Sequence, residues 1–442
     1  MSYQARVYLS FATMAALLII VGIFQSWSVA LAILNLCLIS SVMTLGVNMQ
    51  WGYAGLFNAG VMGFAAMGGV AAVLVSAPPV REAWQAGGTG ILTAMVVAAA
   101  VAGAVALAYH KLKSNDVVRY IAISLILAVG FVVYRIFLDP AVEAIEAVEP
   151  AKTGFLGGLG LPILFAWAVG GLFAAAVAWI IGKVALGLRS DYFAIATLGI
   201  SEIIVAVLKN EDWLTRGVKN VNGLPRPVPY EIEVQQSEFY QGIADTLGMS
   251  VVQFSSLYVK LCYSVLFLIV LLAVFYLAEK ALKAPWGRMM RAIRDNEVAA
   301  NAMGKHVNGR HLQVFILGSA VIGIGGAMLT TIDGQFTPAS YQPLRFTFLI
   351  WVMVIVGGSG NNLGSIIGGF VIWFFWIQAE PLGLAAMDFI TSGMAEDNPL
   401  RLHLLESASH MRLIMMGLIL LLVLRFSARG LLPEQNRRSQ PV

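Results

Sequence analysis

Few side chains in this sequence have the type and setting to do chemistry, and they fall in a handful of places. Thr197 and Ser201, one helical turn apart, lead to Glu202 inside the apolar run 194–208. An acid at mid-depth in a membrane costs about 2.5–3.5 kcal/mol on insertion scales, so it needs a partner, water or a proton. Two readings stand for Glu202: a pathway or gate residue, or a satisfied interhelical hydrogen bond with Asn35 or Asn48. Gly52, Gly55 and Asn58, with Asn48 and Gln50 beside them, mark a broken or re-entrant backbone near a membrane edge. Irregular backbone is tolerated at depth only where it lines protein or a cavity, and its freed amides can face a ligand. Asp333 and Arg345 stand at span edges, placed either to meet a delivering protein or to reach for water. His306, His311, His403 and His410 have no metal-ligand spacing. The sequence holds no Gly-x-x-x-x-Gly-Lys-Ser/Thr and no His-Glu-x-x-His, and no Gly-x-Ser-x-Gly in a strand–helix context. It therefore has no phosphate-cradling loop of its own and no visible catalytic constellation. Intramembrane acids are too few for a proton relay.

The richest cluster is the basic segment 285–304, set between two strongly apolar stretches. Asp295 or Asn296 can cap a helix by accepting from the free amides of its first turn. Glu297 then sits where the helix dipole favours an anion. Val298, Ala299, Ala302 and Met303 share one face, Gly304 stops the helix and Lys305 follows it. A helix of about two turns is marginal in water by itself, so it needs something to lie against. A docking groove on a partner protein and an anionic lipid surface both satisfy that need.

The elements that must carry these residues follow from composition. Of 442 residues 59% are hydrophobic and 12% charged, about half the charge of a soluble domain. Apolar runs recur at 7–24, 28–49, 59–75, 91–108, 118–138, 161–184, 194–208, 257–278, 312–332, 346–356, 366–377 and 413–424. Most approach the roughly 20 residues that cross a bilayer as helix, and the shortest have the length of re-entrant segments. The expected fold is all-α, a polytopic transmembrane helical bundle of about 10–12 spans. A transmembrane barrel would alternate over segments of about 10 residues instead. The net charge of +4 lies in loops, which signals topology and not nucleic-acid binding. Cys37 and Cys262 both fall in apolar runs, where no disulfide is expected. The first run continues past signal-peptide length, so an uncleaved first helix is expected.

Lys/Arg bias orients the spans. The loop 280–310 holds Lys280, Lys283, Arg288, Arg291, Arg294, Lys305 and Arg310 against two acids; the tail holds Arg425, Arg429, Arg437 and Arg438 against Glu434. Both are expected on the cytoplasmic side, with Lys111, Lys113, Arg119, Lys183 and Arg189. Asp139, Glu143, Glu146 and Glu149, and Glu380, Asp388, Glu396, Asp397 and Glu406, belong outside. The count closes with both termini inside. The connection from 209 to 255 should be an outer cap too small for its own core.

In that setting the basic segment resembles the cytoplasmic coupling loop of ABC importer permeases, and more narrowly that of the branched-chain amino-acid permease family. Other blocks resemble the same family in order: 52–58, reading Gly-Tyr-Ala-Gly-Leu-Phe-Asn; 188–199, reading Leu-Arg-Ser-Asp-Tyr-Phe-Ala-Ile-Ala-Thr-Leu-Gly; Asn222-Gly223; Gly357-Gly358-Ser359-Gly360 with Gly364 and Gly368; and Arg429-Gly430-Leu431-Leu432. Each is short, but together they run from Met49 to Leu432. Val298 stands where the broad importer signature has glutamate before its two alanines, with Glu297 one place earlier, and Ala428 replaces a usual proline. The stretch from 111 to 160 resembles added material. The resemblance implies one inner-membrane permease domain, with N-terminal spans in 7–208, C-terminal spans in 257–427 and a cytoplasmic tail at 428–442. It implies transport of branched-chain or related small amino acids by alternating access, with no cofactor on this chain. ATP would be used by separate ATP-binding cassette subunits, beside a second permease and a periplasmic binding protein, with no nucleic acid as partner. Arg294, Glu297, Ala299, Ala300 and Gly304 would dock the ATPase, and Asn58, Thr197 and Glu202 would line the path. A urea or short-amide permease, a stand-alone ion-coupled carrier and, more remotely, a membrane enzyme are the alternatives. A carrier would need mid-depth ion ligands and usually internal repeats, and no convincing repeat is visible.

Overall fold

A computed structural model of the chain describes residues 2–112, 116–149, 153–395 and 398–434. Lys113, Glu396, Asp397, Arg437 and Arg438, used above for orientation, lie outside the described residues. The fold is all-α. Among the described residues ten helices are long and apolar enough to cross a membrane, and two shorter apolar helices join them. They are α1 (Tyr3–Phe24), α2 (Trp27–Ala54), α3 (Val61–Ser76), α4 (Arg81–Lys111), α5 (Asp116–Glu146), α6 (Ile163–Ala185) and α7 (Ser190–Asn210). After the longest connection come α8 (Val251–Lys283), the basic-loop helices α9 (Pro285–Asp295) and α10 (Glu297–Ala302), then α11 (Val307–Asp333), α12 (Pro343–Gly357), α13 (Asn362–Ile390) and α14 (Pro399–Phe426). Every apolar run of the sequence becomes one helix, usually extended at one end or both.

The centre is α11, which packs along α2, α3 and α6. Lipid is as apolar as leucine, so such helices gain by close backbone approach at small residues. A Cβ built at Gly46 would meet Gly318 and Ile322, one at Gly68 would meet Gly323 and Ala327, and one at Gly326 would meet Ala65. The glycines of α11 thus work as a packing surface. Gly357, Gly364 and Gly368 do the same where α12 meets α13.

Helices α4 and α5 form a hairpin at the periphery with its own apolar cluster of Ala83, Ile91, Ala94, Leu138, Ala141, Ile145 and Leu156. The connection 209–255 carries short helices Asp212–Thr215, Glu231–Gln236 and Glu238–Thr246. It also carries strand β1 (Val221–Asn222), which pairs antiparallel with β2 (Gln335–Phe336), so the cap is tied to the end of α11.

Candidate functional site at the basic face

Pro285 opens α9 at a position where its missing N–H is no loss. Gly287 presses against the backbone of Leu282, where a Cβ would clash. Arg288 and Arg291 then donate to the carbonyls of Lys283 and Leu282, 3.2 and 3.4 Å away, satisfying the free C-terminal end of α8. Met290 and Ile293 are buried. The basic helix is thereby stitched to α8, not left loose on the surface.

Asn296 is the cap: its Oδ1 accepts from the Ala299 amide at 2.9 Å. Gly304 (φ +76°) ends α10 in the left-handed region, and the Lys305 amide returns to the Ala300 carbonyl. The structure divides the predicted docking residues by side. Val298 and Met303, each 80% exposed, with exposed Glu297 and Ala299, face away from the bundle. Ala300, 9% exposed, faces into it.

Arg294 also turns inward. One guanidinium nitrogen pairs with Glu434 of the tail at 2.9 Å and donates to the carbonyl of Gly52; the others reach Asp295 at 3.2 Å. Gly52 lies so close to Gly360 that a Cβ would collide with that amide, and Gly55 (φ +70°) caps α2 in the left-handed region beside the Arg294 stem. Around this clip is a fully bonded polar knot. The side-chain amide of Asn48 donates to Asn362 (3.1 Å) and Tyr53 (3.2 Å), while its carbonyl accepts from the Gly360 amide (2.8 Å). The Tyr53 hydroxyl donates to Asn362, and Asn362 donates to Glu279 at 3.0 Å, which pairs with Lys283. Asn361 joins Tyr3, Leu432 and Pro433. The start of α1, the basic loop and the tail therefore share one face. Sequence reasoning missed Asn361, Asn362, Glu279 and Glu434 as a group; the Asn-Asn pair after the glycine block was the available signal.

Asn58 and Thr197 meet at the break between α2 and α3. Asn58 donates to Gln50 (2.8 Å) and accepts from the Gly60 amide (2.8 Å), Thr197 accepts from the Ala59 amide (3.0 Å), and Ser201 accepts from Gly63 (2.7 Å). Gln50 in turn donates to Phe315 and Ser319 of α11. These groups hold the irregular turn. Glu202 is apart from them, on the exposed side of α7. Neither expected partner reaches it: Asn35 bonds Lys260 and Ser264, and Asn48 belongs to the knot, because both face the bundle interior while Glu202 faces out.

An apolar helical bundle with a structured basic loop stitched to its spans defines a multi-pass membrane protein. The chain belongs to the family described as the branched-chain amino acid transport system permease component, whose sequence model matches residues 146–424. The range includes the basic loop and, from the knot, Glu279, Arg294, Asn361 and Asn362, while Asn48, Tyr53 and Glu434 lie outside it. The chain is 29% identical over 206 residues to the high-affinity branched-chain amino acid transport system permease protein LivM of Escherichia coli (strain K12), covering 46% of this chain and 48% of that protein. The corresponding protein of Salmonella typhimurium is 29% identical over 204 residues, 46% and 47% of the two chains. The match spans about half the length of these two relatives. A probable branched-chain amino acid transport permease protein LivM of Methanocaldococcus jannaschii is 23% identical over 410 residues, 91% of this chain and 92% of that one. No solved structure matches the chain. The family and the helices make it a multi-pass membrane protein of the permease type.

Proposed function

We propose that this chain is the membrane-spanning subunit of an ATP-driven importer that moves branched-chain or related small amino acids by alternating access. ATP-binding cassette subunits would seat on α10, a second permease would complete the membrane unit, and a periplasmic binding protein would deliver the ligand on the opposite face. Both termini would be cytoplasmic, with the basic loop. One observation carries the reading: the loop presents Val298 and Met303 outward while its inner side is fastened to α8, α2 and the tail. A lipid-lying helix needs no such fastening, whereas a force-bearing one does. The test is reconstitution with an ATP-binding cassette subunit that co-purifies with this chain. Val298→Asp and Met303→Asp are expected to lower leucine uptake per ATP hydrolysed by about tenfold, the loss of roughly 1.4 kcal/mol of docking energy. Uptake by the chain alone, without nucleotide, would refute the importer.

A further inference from the structure

The face opposite the basic loop holds two open cavities that share part of their lining. One, of about 210 Å³, lies between α2, α8, α11 and the cap, and is lined by Asn35, Arg226, Glu231, Lys260, Tyr263 and Asp333 among others. The second, of about 240 Å³, shares Leu36 and Asp333 with it and is otherwise mainly apolar, with Ile39, Met43, Leu349 and Trp373 on its walls. Joined, they reach the roughly 300–1,000 Å³ range of small-ligand pockets.

The charges in the first cavity are unequally satisfied. Arg226 and Glu231 pair with each other at 2.9 Å. Lys260, half-buried, donates to the carbonyl and hydroxyl of Ser28 and forms no ion pair among the described residues, although the Glu231 carboxylate is near enough to act on its charge. The Asp333 carboxylate, solvent-exposed at the end of α11, has no hydrogen-bond or ion-pair partner among the described residues. It also stands at the C-terminal end of α11, where the helix dipole disfavours an anion. A lone cation and a lone anion thus line one cleft without pairing with each other, next to an apolar chamber.

We propose that this cleft is the substrate site: Lys260 receives the carboxylate of an aliphatic α-amino acid, Asp333 receives its ammonium, and the branched side chain enters the chamber walled by Met43, Leu349 and Trp373. The proposal rests on the permease reading above and deepens it. An aliphatic zwitterion is the simplest ligand that supplies both missing charges and an apolar group at once. A neutral urea or short amide supplies neither charge.

The test uses the full chain in lipid nanodiscs with L-photo-leucine, the diazirine analogue of leucine, and maps the labelled peptides. Label is expected on the chamber walls, displaced by leucine but not by leucinamide, 4-methylpentanoate or glycine, which lack the carboxylate, the ammonium and the side chain. Lys260→Gln and Asp333→Asn should each weaken apparent affinity by about thirtyfold or more, as for loss of one partner of a desolvated charge pair. Asp139→Asn, on the remote hairpin, should bind as the unmodified chain does. If a variant misfolds, the competitor series on the unmodified chain decides the matter. Leucine-displaced label elsewhere, no leucine-displaced label, or unmodified affinity in both variants would overturn the site. Uptake in cells separates the two levels. Leucine uptake restored equally by the variant and unmodified genes removes the site but keeps the permease. Uptake unchanged by deleting the gene removes the permease reading itself.

Discussion

The two ends of the bundle treat polar groups in opposite ways. At the basic face Asn48, Tyr53, Asn362, Glu279, Arg294 and Glu434 all have partners within the chain, and several have two or three. At the other end Lys260 and Asp333 line a cavity with neither in an ion pair. Satisfied networks rigidify the structure that holds them, whereas charges without an ion-pair partner in an open cavity stay available to a ligand. One end is built to transmit a fixed geometry, and the other to be completed from outside.

The contrast breaks most visibly at Asn362. Asn362→Leu strips partners from Asn48, Tyr53 and Glu279, and should destabilise the protein by about 3 kcal/mol, read as a lower melting temperature in detergent. At the far end the sign should reverse. Asp333→Leu removes an exposed anion from a helix C-terminus, so it should be neutral or stabilising by up to about 1 kcal/mol while abolishing transport. An equal loss of stability at both ends would end the comparison. Glu434→Gln weakens a partly exposed pair and should cost about 1 kcal/mol. Added salt should narrow that difference, since screening weakens the original pair. Val298→Asp, on the outward side of α10, should shift stability by less than about 0.5 kcal/mol, leaving its effect visible only in coupling.

Most spans were legible because their apolar runs approach 20 residues, while the short runs 346–356, 366–377 and 413–424 left their lengths open. The cap of α10 was legible too, since Asn296, Glu297 and Gly304 act over a few residues. The knot was not: Asn48 and Asn362 lie 314 positions apart, and nothing local to either links it to the other. Lys260 was hidden inside the apolar run 257–278, where averaging over about 20 residues conceals one charge. Glu202 stood out as an acid in a span, but spacing does not say which way a helix faces, and it faces outward. Asn58 and Thr197 were chosen beside the broken helix and do lie there, fully bonded within it.

Helix α8 is continuous over 33 residues, with its last turn stitched to the basic loop and Lys260 near its other end. At 1.5 Å per residue, Lys260 lies about 35 Å along the axis from that anchored turn. The helix is therefore a lever arm. A tilt of about 5° at the anchored end swings Lys260 by about 3 Å, one hydrogen-bond length. A slight rocking on one side of the membrane is enough to make or break a grip on the other.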